Sequence, residues 1–370
     1  MLIAVKGWAS LQVEQTYLRA RELAERSADP RTLFPILFGL WVTRLVRAQF
    51  RAAYGIGEEL LLLAEKVGDF NLLLQAHQAL GDSLYEMGQF ELARKHLEAG
   101  LTLCNRERLK ALGVDMEVAF RSYLARTLWF LGYPQQALEM NREAVSVAKQ
   151  LSDPFSLVFA EHFLSNLHQL RGEVAAFRDT SEREIRMCAE HGFVYCLAHA
   201  TINRGIAMAE EGRGPEAVVL IKQGFAAATA TGAEVHRVDF LHGLTEAYSA
   251  TGSLDDALDT LTKAFTIAQE SDDLYISAEL YRLKGELLLR RDFSNSSEAY
   301  ECFQSGIRTS RDQEARSLEL RLTTSLARLL ARQGRDEEAH ATLAAIYNWF
   351  TEGFDTLDLI EAKALLDELS

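Results

Sequence analysis

The chain reads as an all-helical array of paired helices, an α-solenoid. Three observations predict this. A small residue recurs at a nearly fixed spacing, a turn glycine stands five positions before it in most copies, and apolar residues on both sides recur at three- and four-residue steps. The slot falls at Ala53, Ala93, Ala137, Phe177 (a larger residue), Ala217, Ala257, Ala299 and Ala339, with successive spacings of 40, 44, 40, 40, 40, 42 and 40 residues. No segment sustains a period of two, so more than roughly 70% helix and essentially no strand is expected.

The units follow in order. Residues 1–30 read as half a repeat. A second helix begins near Leu11, with Val13 in the slot 40 residues before Ala53, and Leu2, Ile3 and Val5 stand as the remnant of a missing first helix. An array that starts mid-repeat leaves its first face uncovered, so a homodimer or docking through the N-terminal end is expected, in a chain split from a larger regulator. Eight repeats fill about residues 31–350. In the first, Pro35 lies near the start of a helix and Gly68 closes the second helix. In the next, Ala76, Leu80, Leu84 and Met87 form one apolar stripe, Gly88-Gln89 breaks it, and Phe90, Ala93, Leu97 and Leu101 form another. Gly81 and Gly100 stand where the helices must approach closely.

Gly132 and Gly172 are the following turns, and Gly192 and Gly232 close second helices. Pro134 and Pro215 sit just inside second helices, where a missing N–H costs nothing, while Pro30 and Pro154 follow helix ends in Asp-Pro pairs. No proline falls in a predicted helix interior. Gly212 precedes Ala217, and around Gly252 the pattern returns as Leu244, Ala247 and Tyr248, then Leu254, Ala257, Leu261, Ala264 and Phe265, with Ser253 and Asp256 as a capping box. Ala299 follows an altered turn, and Gly334 precedes Ala339. A capping helix over 356–370 ends the single domain 1–370, with its acidic residues turned outward.

Leu80-Gly81, Gly88, Phe90, Ala93 and Leu97 match the tetratricopeptide pattern, whose unit is about 34 residues. A period of about 40 adds roughly three residues, or about 4.5 Å, to each helix. The expected fold is thus all-α, a tetratricopeptide-like α-solenoid wound as a right-handed superhelix.

Lys6-Gly7-Trp8-Ala9 with Ala20-Arg21-Glu22-Leu23, the run Glu279 to Leu287, and Tyr347 to Thr356 with Glu361 to Leu366 carry a wider likeness. On these, nearly the whole chain resembles the C-terminal repeat region of large bacterial regulators, in which a class III adenylate/guanylate cyclase, kinase or DNA-binding domain precedes a signalling ATPase. The resemblance implies a regulatory, partner- or ligand-sensing array with no catalytic residues here and an upstream ATPase or cyclase module as one partner.

Composition narrows the function. A net charge of −14 over 370 residues argues against nucleic acid as the main ligand, because phosphate binding needs a basic surface. The longest apolar runs, such as Pro35 to Val42, are too short to span a bilayer, and no basic leader with an apolar segment opens the chain, so a cytoplasmic location with no membrane partner is expected. The four cysteines form no CxxC pair. No GxxxxGK[ST], GxSxG or HExxH occurs. The chain is therefore expected to be no enzyme, to use no cofactor and to bind a protein or peptide. A small-ligand sensor is the alternative, and a pocket enclosed between superhelical turns would distinguish it from an open peptide groove.

One set has zinc-ligand chemistry: Cys188, His191, Cys196 and His199 straddle the corner at Gly192. Yet both cysteines fit apolar stripes and His191 before a glycine is an ordinary helix ending, so no metal is expected. The partner-binding groove is expected on the first helices, around units three to five. Aligned on the slot, it takes Tyr123, Arg126 and Trp129, then His162, Asn166 and Gln169, then His199 and Asn203, then His242, Glu246, Arg282, Glu286 and Arg328. Asn203 occupies the slot where carboxylate-clamping arrays carry Asn, but their Lys set is not matched.

Overall fold

The structure, a computed structural model, describes residues 9–27, 29–104, 110–111 and 113–370. The expected N-terminal remnant, Met1 to Gly7, lies outside the described residues. Helix α1 (Leu11–Ser27) leads eight hairpins: α2 (Pro30–Val46) with α3 (Phe50–Val67), α4 (Phe70–Glu86) with α5 (Phe90–Cys104), α6 (Met116–Phe130) with α7 (Pro134–Leu151), α8 (Pro154–Leu170) with α9 (Val174–His191), α10 (Val194–Glu210) with α11 (Gly214–Ala230), α12 (Arg237–Thr251) with α13 (Leu254–Ser271), α14 (Ser277–Arg291) with α15 (Ser296–Asp312), and α16 (Arg316–Arg332) with α17 (Asp336–Tyr347). Helix α18 (Leu357–Glu368) follows. Each helix packs on its sequence neighbours, and most successive first helices also pack on one another.

The slot residues explain the period. All eight, from Ala53 to Ala339, are fully buried between helices, and Val13 shows 1% exposure. A Cβ on Gly81 would stand 2.7 Å from Leu97 Cδ2, and one on Gly100 would stand 2.2 Å from Phe120 Cε1, so both glycines permit close helix contact.

Three local expectations change. Pro35 lies inside α2 rather than at its start. Both Pro35 and Arg31, whose carbonyl the missing N–H would have bonded, are exposed, so that carbonyl faces water. Pro30 and Pro154 do follow helix ends in Asp-Pro pairs, and they also open α2 and α8 behind the N-caps Asp29 and Asp153. Ser253 precedes α13 without a side-chain capping bond. A two-residue antiparallel pair, β1 (Lys110–Ala111) with β2 (Val114–Asp115), interrupts the helices before α6.

The superhelix closes on itself. The last carbonyls of a helix lack intrahelical partners, and here those of the first helices receive donors from one superhelical turn later. Val46 O accepts from Val235 N at 3.1 Å, Glu86 O from Leu274 N at 2.9 Å, Trp129 O from Ser317 Oγ at 2.5 Å and Arg171 O from Leu357 N at 3.2 Å. The partners are 189, 188, 188 and 186 residues apart. The turn glycines serve this seam. A Cβ on Gly132 would meet Trp349 at 2.5 Å and one on Gly172 would meet Leu357 at 2.4 Å, whereas Gly212, Gly252 and Gly334 have nothing within 4 Å.

The largest hydrophobic cluster draws on both turns, joining Tyr85, Trp129 and Phe130 to Tyr275, Leu318 and Leu359. The capping helix α18 is part of the seam, and its acidic residues are not all outward. Asp358 bonds Arg321 Nε at 2.9 Å, and Arg321 Nη2 also reaches Leu170 O at 2.7 Å.

Candidate binding site in the lumen

The first helices face the superhelix axis. Along each, residues at i, i+3 and i+7 share one face, so Asp239, His242 and Glu246 line up on α12, as Glu279, Arg282 and Glu286 do on α14. With α6, α8, α10, α16 and α18 they surround a cavity of about 480 Å³.

At one end Arg126 forms a buried cage. Its guanidinium lies 5.2 Å from the ring centres of Tyr85 and Tyr275 and 5.6 Å from that of Phe163, and Nη2 donates to Tyr275 Oη at 3.3 Å. Burial works against its charge, but Tyr85, Tyr275 and Asp239 hold it protonated. Buried Glu86 nearby is pushed up to about 8, chiefly by burial and against the pull of Arg126.

Asn166 and Asn203 form the middle. They are 8% and 2% exposed, and Asn166 Oδ1 and Asn203 Nδ2 have no hydrogen-bond partner among the described residues. Buried polar atoms are nearly always paired, so these two ask for a ligand's donor and acceptor. His199 packs between His162 and His236, with ring centres 4.2 and 5.0 Å away. Burial, then His162 and His236, keeps it well below the usual histidine range and so uncharged.

The far end is ionic. Arg282 binds Glu279 at 2.6 Å, Arg321 binds Asp358 at 2.9 Å, and Arg328 binds Glu361 at 2.6 Å. Although burial opposes it, Arg282 and Arg321 hold Glu279 at about 2. Glu279 Oε2, Glu246 Oε2 and His242 Nε2 are buried without a hydrogen-bond partner among the described residues.

The cavity thus gathers Arg126, Asn166, Gln169, His199, Asn203, His242, Glu246, Arg282 and Arg328. Tyr123 instead packs on Tyr85 and Phe163, and Trp129 is 1% exposed under the Arg321 guanidinium. His162 stands behind His199 and bonds Glu184 at 3.1 Å, and Glu286 lies one turn beyond Arg282, outside the lining. Asp239, Glu279, Arg321, Asp358 and Glu361 line the cavity without having been singled out. The three on first helices were legible: Asp239 and Glu279 stand three residues before His242 and Arg282, and Arg321 seven before Arg328.

The Gly192 corner does not assemble a metal set. Cys188 is buried beside Cys196, which with burial pushes its thiol up, while His191 stacks on Phe193 with ring centres 5.6 Å apart and His199 faces the lumen. Among the described residues no group of three or more His, Cys, Asp or Glu side chains is placed to hold a metal ion. Among the described residues, too, no helix is long and apolar enough to cross a membrane.

Hairpin period, packing order and lumen define a tetratricopeptide-type α-solenoid. Comparison with known families agrees: the tetratricopeptide repeat matches residues 74–106, and anaphase-promoting complex subunit 5 matches residues 119–171, 240–283 and 254–333. No curated protein matches the chain. Among solved structures, a Rap protein complexed with competence and sporulation factor is 15% identical with a TM-score of 0.61, over 100% of this chain and 99% of that one. NprR in complex with its cognate peptide NprX is 12% identical with a TM-score of 0.59, over 80% and 84%. Aspartyl phosphate phosphatase F from Bacillus subtilis is 11% identical with a TM-score of 0.50, over 94% and 91%. At these identities the likeness is one of fold.

Proposed function

We propose that this chain is a non-catalytic regulatory module of a bacterial signalling system that binds a short peptide in its lumen. The observation that carries the reading is the pair Asn166 and Asn203, buried in the cavity wall with unpaired amide atoms. A peptide backbone offers the N–H and C=O groups that such amides lack, and the ionic far end suits charged side chains or a terminus. The likeness to NprR bound to its cognate peptide supports the same reading. A cavity of about 480 Å³ suits only a few residues. The resemblance to cyclase- and ATPase-bearing regulators adds such an upstream module as the partner this array would regulate.

The closed seam favours a second reading, a small-ligand sensor, because the lumen is walled by contacts between turns rather than open along its length. Affinity selection of a random short-peptide library on the purified protein, beside a panel of small metabolites, separates the two. Saturable peptide binding supports the first reading, and metabolite binding without peptide binding overturns it. The phosphatase of similar fold supplies a third arm: hydrolysis of an aspartyl phosphate by the pure protein would overturn the non-catalytic reading.

A further inference from the structure

Away from the lumen, two imidazoles meet across the α4–α5 hairpin. His77 Nδ1 and His96 Nδ1 are 3.1 Å apart, with ring centres 5.3 Å apart and planes inclined by 42°. Both rings are half-buried, so each is held by packing while one side stays open to solvent.

Imidazole nitrogens bind divalent metals such as zinc at about 2.0–2.1 Å. Two nitrogens 3.1 Å apart, each about 2.05 Å from an ion, subtend about 98° at it. That angle lies between the right angle of square-planar coordination and the wider tetrahedral angle, so the pair has the bite of a chelate with little movement. Ala93 and Leu97 on either side are fully buried in the core, which fixes the part of α5 that carries His96. The chain's net charge of −14 favours approach of a cation.

We propose that His77 and His96 form a two-histidine chelate for a divalent transition-metal ion of the nickel, copper or zinc class. Water completes the coordination shell, which makes the site open and exchangeable rather than a closed structural centre. Binding requires both rings as Nε2–H tautomers, with each Nδ1 lone pair on the ion. A bound ion would brace α4 against α5.

Calorimetric titration of the full chain with nickel chloride tests this, with thermal unfolding as a second readout. One ion per chain is expected, together with a rise in Tm. Either His77→Gln or His96→Gln should weaken binding at least about tenfold and abolish the rise. His340→Gln, on α17 away from both the pair and the lumen, should leave both unchanged. Absence of nickel binding, or binding that survives both His77→Gln and His96→Gln, overturns the proposal, as does loss of binding in His340→Gln alone.

Discussion

The backbone N–H of Leu357 donates to the carbonyl oxygen of Arg171 at 3.2 Å, joining residues 186 positions apart. It is the last in a series of bonds from one superhelical turn to the next, at Val46, Glu86, Trp129 and Arg171, in nearly constant register, and it places α18 over the end of α8. Arg171 also holds Pro134 O and Asp355 at 2.9 Å each, so one buried arginine ties two turns of the superhelix.

The seam predicts a difference between two glycines. Gly172 and Gly252 both have left-handed backbones, with φ of 75° and 80°. Gly252→Ala should lose about 1–2 kcal/mol for that conformation alone. Gly172→Ala should lose roughly a further 1–3 kcal/mol, since its Cβ would stand 2.4 Å from Leu357 Cβ. Denaturant midpoints of the two variants measure the gap, and equal losses would mean that the turns do not pack there.

The Arg126 cage predicts a large, partly recoverable loss. Glu86 and Asp273 are buried around this cation. Arg126→Met should destabilise by about 2–4 kcal/mol, because it removes the cage's cation and the donor to Tyr275 Oη. At pH 8 and above, where Glu86 begins to ionise beside the missing cation, adding Glu86→Gln should recover part of that loss, a coupling that a double-mutant cycle reads directly. Strict additivity would show that the two do not interact.

Glu86 also makes stability depend on pH. Its folded value is raised to about 8, chiefly by burial. A raised value means the contribution is fully present below the ordinary value of 4.5 and is lost as pH rises through about 8. Glu86→Gln should therefore be nearly neutral at low pH and gain on the wild type between these values, reaching on the order of 1 kcal/mol or more at the alkaline end. Urea unfolding across that range checks the sign, and a variant that loses ground as pH rises would refute it.

Much of the architecture was legible in local signals. The slot from Ala53 to Ala339 marks where helices press together, and a turn glycine announces a hairpin without reference to anything distant. The second role of Gly132 and Gly172 was not legible, because their seam partners Trp349 and Leu357 lie about half the chain away and share no local pattern with them. The closure of the lumen went unread for the same reason. Trp129 and Tyr123 show the limit of alignment on a slot: a first helix inside a closed superhelix is buried on several faces, so one register cannot separate lumen from core. Asp358 is the converse case, an acidic residue that amphipathic patterning turns outward but Arg321 draws in.

The central claim is that the lumen binds a peptide through Asn166 and Asn203. The most direct measurement is the affinity of a library-selected peptide for the wild type, for Asn166→Ala and for Asn203→Ala, at matched thermal stability. Each substitution removes an amide that should pair with the peptide backbone, so each Kd should rise about tenfold and the double variant should lose more. An unchanged Kd in the folded double variant would contradict the account and move the binding surface away from the lumen.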